Sequence, residues 1–66
     1  MKLIINGDEQ EVKDGATVMS MLEGLEIDPG RVAVELNMVI IKKCDYSVSE
    51  LKEGDQVEIV NFVGGG

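Results

Sequence analysis

One sustained helical stripe limits what this chain can become. In "TVMSMLEGL", Val18, Met21, Leu22 and Leu25 fall at i, i+3, i+4 and i+7 and share one helix face. Thr17 precedes the stripe as an N-cap whose hydroxyl accepts from an early helix amide. Gly24 weakens the last turn, and Pro29-Gly30 forbids continuation. Four methionines raise the idea of a soft binding surface, but Met21 on this stripe reads as core. The rest of the core must come from strands.

Strand signals flank the helix on both sides. In "KLIINGDEQEV" an apolar run over residues 3–5 leads into Asn6-Gly7, a dipeptide that tolerates the positive φ of a tight hairpin turn. The second strand runs to about Lys13, and Asp14-Gly15 ends it. After the helix, "RVAVELN" sets Val32, Val34 and Leu36 against Arg31, Ala33 and Glu35, a half-buried strand. "MVIIKK" is a further short strand, and "YSVSELKEGD" reads as one helical turn followed by a tight turn at Gly54-Asp55. "QVEIVNFV" alternates again, with Val57 and Ile59 facing one way and Glu58, Val60 and Phe62 the other. A mixed sheet over one helix accommodates this order. The last strand lies centrally, parallel to the first, and the middle of the chain supplies the crossover that parallel pairing needs.

Size and composition narrow the chemistry. At 66 residues the chain makes one domain, which buries only about 60% of its unfolded surface. It leaves no room for a deep cleft beside the core, which favours a carrier or binding module over an enzyme. Thirteen acidic against six basic residues give a net charge of −7, so nucleic acid and anionic membranes are repelled and a basic docking surface is attracted. The same charge also serves plain solubility. Cys44 stands alone, which rules out an internal disulfide and suggests a reducing compartment. Without histidine, common zinc sites and Ser-His or Cys-His pairs are excluded, and no metal site is expected. No segment reads as a signal peptide or membrane span, so the protein is expected to be cytoplasmic.

No side-chain constellation has catalytic spacing, and no catalytic residue is assigned. Cys44 is the one candidate nucleophile or persulfide carrier; with no histidine to activate it, the inert reading is the stronger. The remaining feature is the stretch "VNFVGGG". Glycines lack Cβ and can be threaded extended through a narrow channel. A carboxylate on such an arm reaches another protein's active site, where adenylation gives it a leaving group that sulfur or an amine can displace. On the glycines alone, fraying or an extraneous tail is the stronger reading.

The whole chain, however, resembles the ThiS family of thiamine-biosynthesis sulfur carriers, α+β proteins of the ubiquitin-like β-grasp fold. The resemblance rests on "INGDE", "ATVMSMLEGL", "VAVELN" and "LKEGDQVEIVNFVGGG" in their order and spacing. It implies a β-grasp domain over residues 1–63, with about five strands packed on one main helix, and a flexible glycine tail over residues 64–66. It also implies that an E1-like adenylating enzyme of the ThiF type uses ATP to activate Gly66. A persulfide donor then converts Gly66 to a thiocarboxylate, and a thiazole synthase of the ThiG type takes the sulfur. Gly64 and Gly65 are the arm threaded into these enzymes. The carrier binds no cofactor and is a protein cosubstrate. Alternatives within the same logic are a carrier for molybdopterin or cysteine synthesis, or a ubiquitin-like modifier.

Three features depart from the family pattern: a third terminal glycine, Asn37-Met38 where Asn-Gly is common, and "KKCDYS" where Pro-Arg-Ser is common. A methionine at positive φ is strained by about 1 kcal/mol, so a different turn is expected at Asn37-Met38. With Leu3, Ile5, Val57 and Ile59 assigned to the core, Ile4, Val60 and Phe62 face the other way and form the expected docking face, Phe62 as its anchor.

Overall fold

The computed structural model of the chain describes residues 1–62. Strand β1 (Lys2–Ile5) and β2 (Asp8–Glu11) form a hairpin, helix α1 (Val18–Gly24) follows, and then come β3 (Val32–Leu36), β4 (Val39–Ile41) and β5 (Gln56–Asn61). The sheet order is β2-β1-β5-β3-β4. The β1–β5 pair is parallel, with Ile4 opposite Gln56 and Ile5 opposite Val57, and the other three pairs are antiparallel. The expected central, parallel placement of the last strand is therefore what forms.

The helix is fixed at both ends by its own sequence. Thr17 caps the N-terminus: its Oγ1 accepts from Ser20 N at 3.2 Å, and Thr17 N donates to Ser20 Oγ at 2.9 Å. At the C-terminus Ile27 N donates to Leu22 O and Glu26 N to Glu23 O, the paired bonds of a Schellman turn. Glu26 takes the left-handed position with φ 60°, a place where glycine is usual. The helix thus stops before Pro29 is reached.

Val18, Met21 and Leu22 from the helix, Leu3, Ile5, Val32, Val34 and Val57 from the sheet, and Ala16, Tyr46 and Leu51 from loops form the core. Burying aliphatic side chains of this kind contributes about 1.5–3 kcal/mol each. Leu25, Leu36 and Ile59, expected in the core, are half-buried against it. Tyr46 is fully covered and donates from its hydroxyl to Val32 O at 3.3 Å. Burial pushes its phenol above the ordinary value.

Three local expectations are corrected. The second strand ends at Glu11, although Val12 N still reaches Met1 O at 2.8 Å. The helical turn expected within residues 46–55 is a 3₁₀ turn at Lys43–Asp45. Beyond it the chain bends away, with Val48 N and Ser49 N both donating to Asp45 O, so that Tyr46 can enter the core. Asn37-Met38 does adopt positive φ at both residues, 50° and 72°, the type I′ geometry that matches the twist of a two-residue hairpin. The reason is tertiary. Asn37 N donates to Gln56 O at 2.7 Å, its Oδ1 accepts from Gln56 N at 2.9 Å, and its Nδ2 donates to Asp55 Oδ1 at 3.0 Å. These bonds hold the turn while Met38, 88% exposed, carries the strain in solvent.

Candidate functional site at the exit of β5

Strand β5 leads to the glycines, so its exit end is where the fold presents them. Pairing with β3 runs from Leu36–Val57 to Val32–Asn61, and one further bond follows, Phe62 N to Arg31 O at 2.9 Å. On the opposite side, pairing with β1 stops at Ile5–Val57 because the β1 chain turns at Asn6. The Asn6 side chain extends it: Ile59 N donates to Asn6 Oδ1 at 2.7 Å, and Asn6 Nδ2 donates to Ile59 O at 3.2 Å. The root of the tail is therefore held from both flanks.

Alternation along β5 puts Glu58, Val60 and Phe62 on the face away from the helix. Val60 and Phe62 are exposed there, with Ala33 opposite Val60 and Arg31 beside Phe62. Lys43 closes over this end. Its Nζ lies 4.9 Å from the Phe62 ring centroid and donates to Gly30 O at 3.0 Å. Arg31 is highly exposed and approaches Asp28 at 3.6 Å. Lys42 follows Ile41, which pairs with Val34, and so comes level with Ala33 and Val60.

The expected docking residues are only partly brought together. Val60 and Phe62 are neighbours on one face. Ile4 shares that face but pairs with Gln56, four residues back along β5 or about 13 Å, and is half-buried. Gly64, Gly65 and Gly66, their expected flexibility and the 63/64 domain boundary lie outside the described residues. Sequence reasoning missed the exposed aliphatics Met38, Val39, Ile40 and Val48. It also missed the gathering of Arg31 with the adjacent pair Lys42 and Lys43, which come from two separate loops. Cys44 is exposed, its Sγ 3.9 Å from Asp45 Oδ1. Among the described residues no helix is long and apolar enough to cross a membrane.

A five-stranded mixed sheet grasping one helix, with a central last strand running out toward glycines, defines a ubiquitin-like β-grasp protein. The ThiS family model matches residues 3–66, and the chain belongs to the ThiS family. It is 42% identical to the sulfur carrier protein ThiS of Bacillus subtilis over 97% of this chain and 98% of that one. The crystal structure of the thiamine biosynthesis protein ThiS of Geobacter metallireducens superposes with a TM-score of 0.87 at 32% identity, covering 100% of both chains. The chain is also 44% identical, over its full length, to part of the thiazole synthase of Paramagnetospirillum magneticum, of which it spans 20%.

Proposed function

We propose that this chain is a sulfur carrier of thiamine biosynthesis, acted on by partner enzymes and without an active site of its own. The observation that carries the reading is the family match, which continues through the glycines to Gly66. An E1-like enzyme transfers AMP from ATP to the Gly66 carboxylate and releases pyrophosphate. The outer sulfur of a persulfide donor attacks the adenylate carbonyl and expels AMP, giving an acyl disulfide. A second thiol, acting as the reductant, then cleaves its S–S bond, becomes disulfide-bonded to the donor and leaves a thiocarboxylate, which a thiazole synthase consumes. Gly64 and Gly65 are the slender part of the arm. The exposed Val60 and Phe62 are the docking contacts, with Ile4 at the far end of the same face.

Likeness to two thiazole synthases, each spanned by this chain over 20% of its length, supports thiazole as the destination of the sulfur. A carrier built into the same polypeptide as its acceptor gains a high effective concentration. The geometry adds that β5 lies mid-sheet, a rigid base from which the arm is offered.

The test is to incubate the protein with ATP, the adenylating enzyme and a sulfur donor, and to weigh it intact. The expected result is the mass gain of one oxygen-for-sulfur exchange, mapped to Gly66 and lost when Gly66 is deleted. No gain with any candidate donor sinks the reading.

A further inference from the structure

We propose that the partner surface receiving the β5 exit is an apolar pocket with an acidic rim, and that it belongs to the thiazole synthase. This rests on the carrier reading above and assigns the partner's chemistry. The net charge of −7 argues for a basic partner, but charge is not spread evenly. Three of the six cationic residues, Arg31, Lys42 and Lys43, gather where the tail leaves the sheet.

Arg31 holds the Phe62 amide through its carbonyl and directs an 83% exposed guanidinium outward. Lys43 spans Gly30 O and the Phe62 ring, so its ammonium sits on the rim of the apolar contact. Among the described residues neither Lys42 nor Lys43 forms an ion pair, and Arg31 has only the long approach to Asp28. Acidic groups on the same face lie further back: Glu35 and Glu58 face each other one row behind Val60 on its own side. Asp28 and Asp45 are the carboxylates nearest the cations in the chain, so the exit is mixed but locally cationic. A partner entered by the tail meets Val60 and Phe62 flanked on the β3–β4 side by these cations, and complementarity favours carboxylates on that side of its pocket rim.

Charge reversal separates this local effect from the overall charge. Lys42→Glu/Lys43→Glu and, as a control, Lys2→Glu/Lys13→Glu change net charge equally, but Lys2 and Lys13 do not belong to the exit cluster. Association of the full chain with the thiazole synthase is measured at low and high salt. The exit pair is expected to slow association about tenfold at low salt, with the difference fading at high salt, and the control to change it far less. Equal effects of the two pairs, or faster association of the exit pair, overturn the inference. If Lys42→Glu/Lys43→Glu does not fold, Lys42→Gln/Lys43→Gln carries the same test with a smaller expected loss. Wild-type protein that binds the synthase and gains sulfur while the exit variants bind normally defeats this inference alone. Wild type that does neither defeats the carrier reading as well.

Discussion

The Asn6 carboxamide pairs with both backbone groups of Ile59, accepting from its N–H at 2.7 Å and donating to its carbonyl at 3.2 Å. A side chain from the β1–β2 turn thereby takes the place of the strand residue that β1 no longer supplies. Asn37, at the corresponding position of the β3–β4 turn, holds Gln56 from the other side, its Oδ1 accepting from Gln56 N and its backbone N–H donating to Gln56 O. Strand β5 is thus clipped at its start, Gln56, and past its middle, Ile59, by asparagines whose own backbones are left-handed, with φ of 50° each.

Asn6→Gly tests the first clip, because glycine keeps the turn relaxed and removes only the carboxamide. Two hydrogen bonds of ordinary worth predict a loss of about 1–2 kcal/mol in denaturant unfolding. Amide exchange should accelerate at Ile59 more than at Val34 opposite it. Unchanged exchange at Ile59 would show that the clip does not hold the strand.

Met38→Gly is expected to stabilise the domain. Met38 sits at φ 72° and is almost wholly exposed, so glycine removes strain and no packing. A gain of about 0.5–1 kcal/mol corresponds to a rise of roughly 2–8 °C in Tm for a domain of this size. A fall in Tm would contradict the strain argument. Glu26→Gly, at φ 60° in the helix C-terminal turn, should behave alike.

Tyr46 predicts an alkaline limit to stability. Burial raises its pKa above 10.0, so the fold holds the neutral phenol. Above pH 10.0 the unfolded chain loses that proton before the native one does, and native stability falls as pH rises further. Below pH 10.0 the contribution is fully present. With one tyrosine and no tryptophan in the chain, tyrosinate absorbance reports this group alone. Its midpoint should lie above 10.0 in the native protein and return there in denaturant, and coincident midpoints would refute the assignment.

Phe62→Ala separates docking from folding. The ring is 55% exposed, so unfolding should change by no more than about 0.5 kcal/mol beyond the lost Lys43 contact. Turnover by the partner enzymes should instead show KM raised by roughly tenfold or more, as for an aromatic interface anchor. Normal KM would remove Phe62 from the docking face.

Much of this architecture was legible because it is local. The Val18-Met21-Leu22-Leu25 stripe, the Thr17 cap and the period-two alternation of β3 and β5 are each set by neighbours in sequence, and each forms as read except that Leu25, Leu36 and Ile59 are only half-buried. What escaped is tertiary. Tyr46 and Leu51 are buried because their loop is tied to the helix start, Met19 N donating to Tyr46 O and Leu51 N to Ala16 O. Met38 accepts a left-handed backbone because Asn37 is locked to β5. Alternation placed Ile4, Val60 and Phe62 on one face but carries no information on how far apart they stand along it. The cationic exit was hidden because Arg31 and Lys43 are joined only through Gly30 O and the Phe62 ring.

The position of β5 also bears on how the chain is made. It is the last strand in sequence yet the middle of the sheet, between β1 and β3. During synthesis the two halves of the sheet have no strand to pair them until residues 56–61 have left the ribosome. An interrupted chain lacking that strand exposes Leu3, Ile5 and Val34 to solvent and to proteases. A finished fold therefore requires that the chain was read through to the root of the tail.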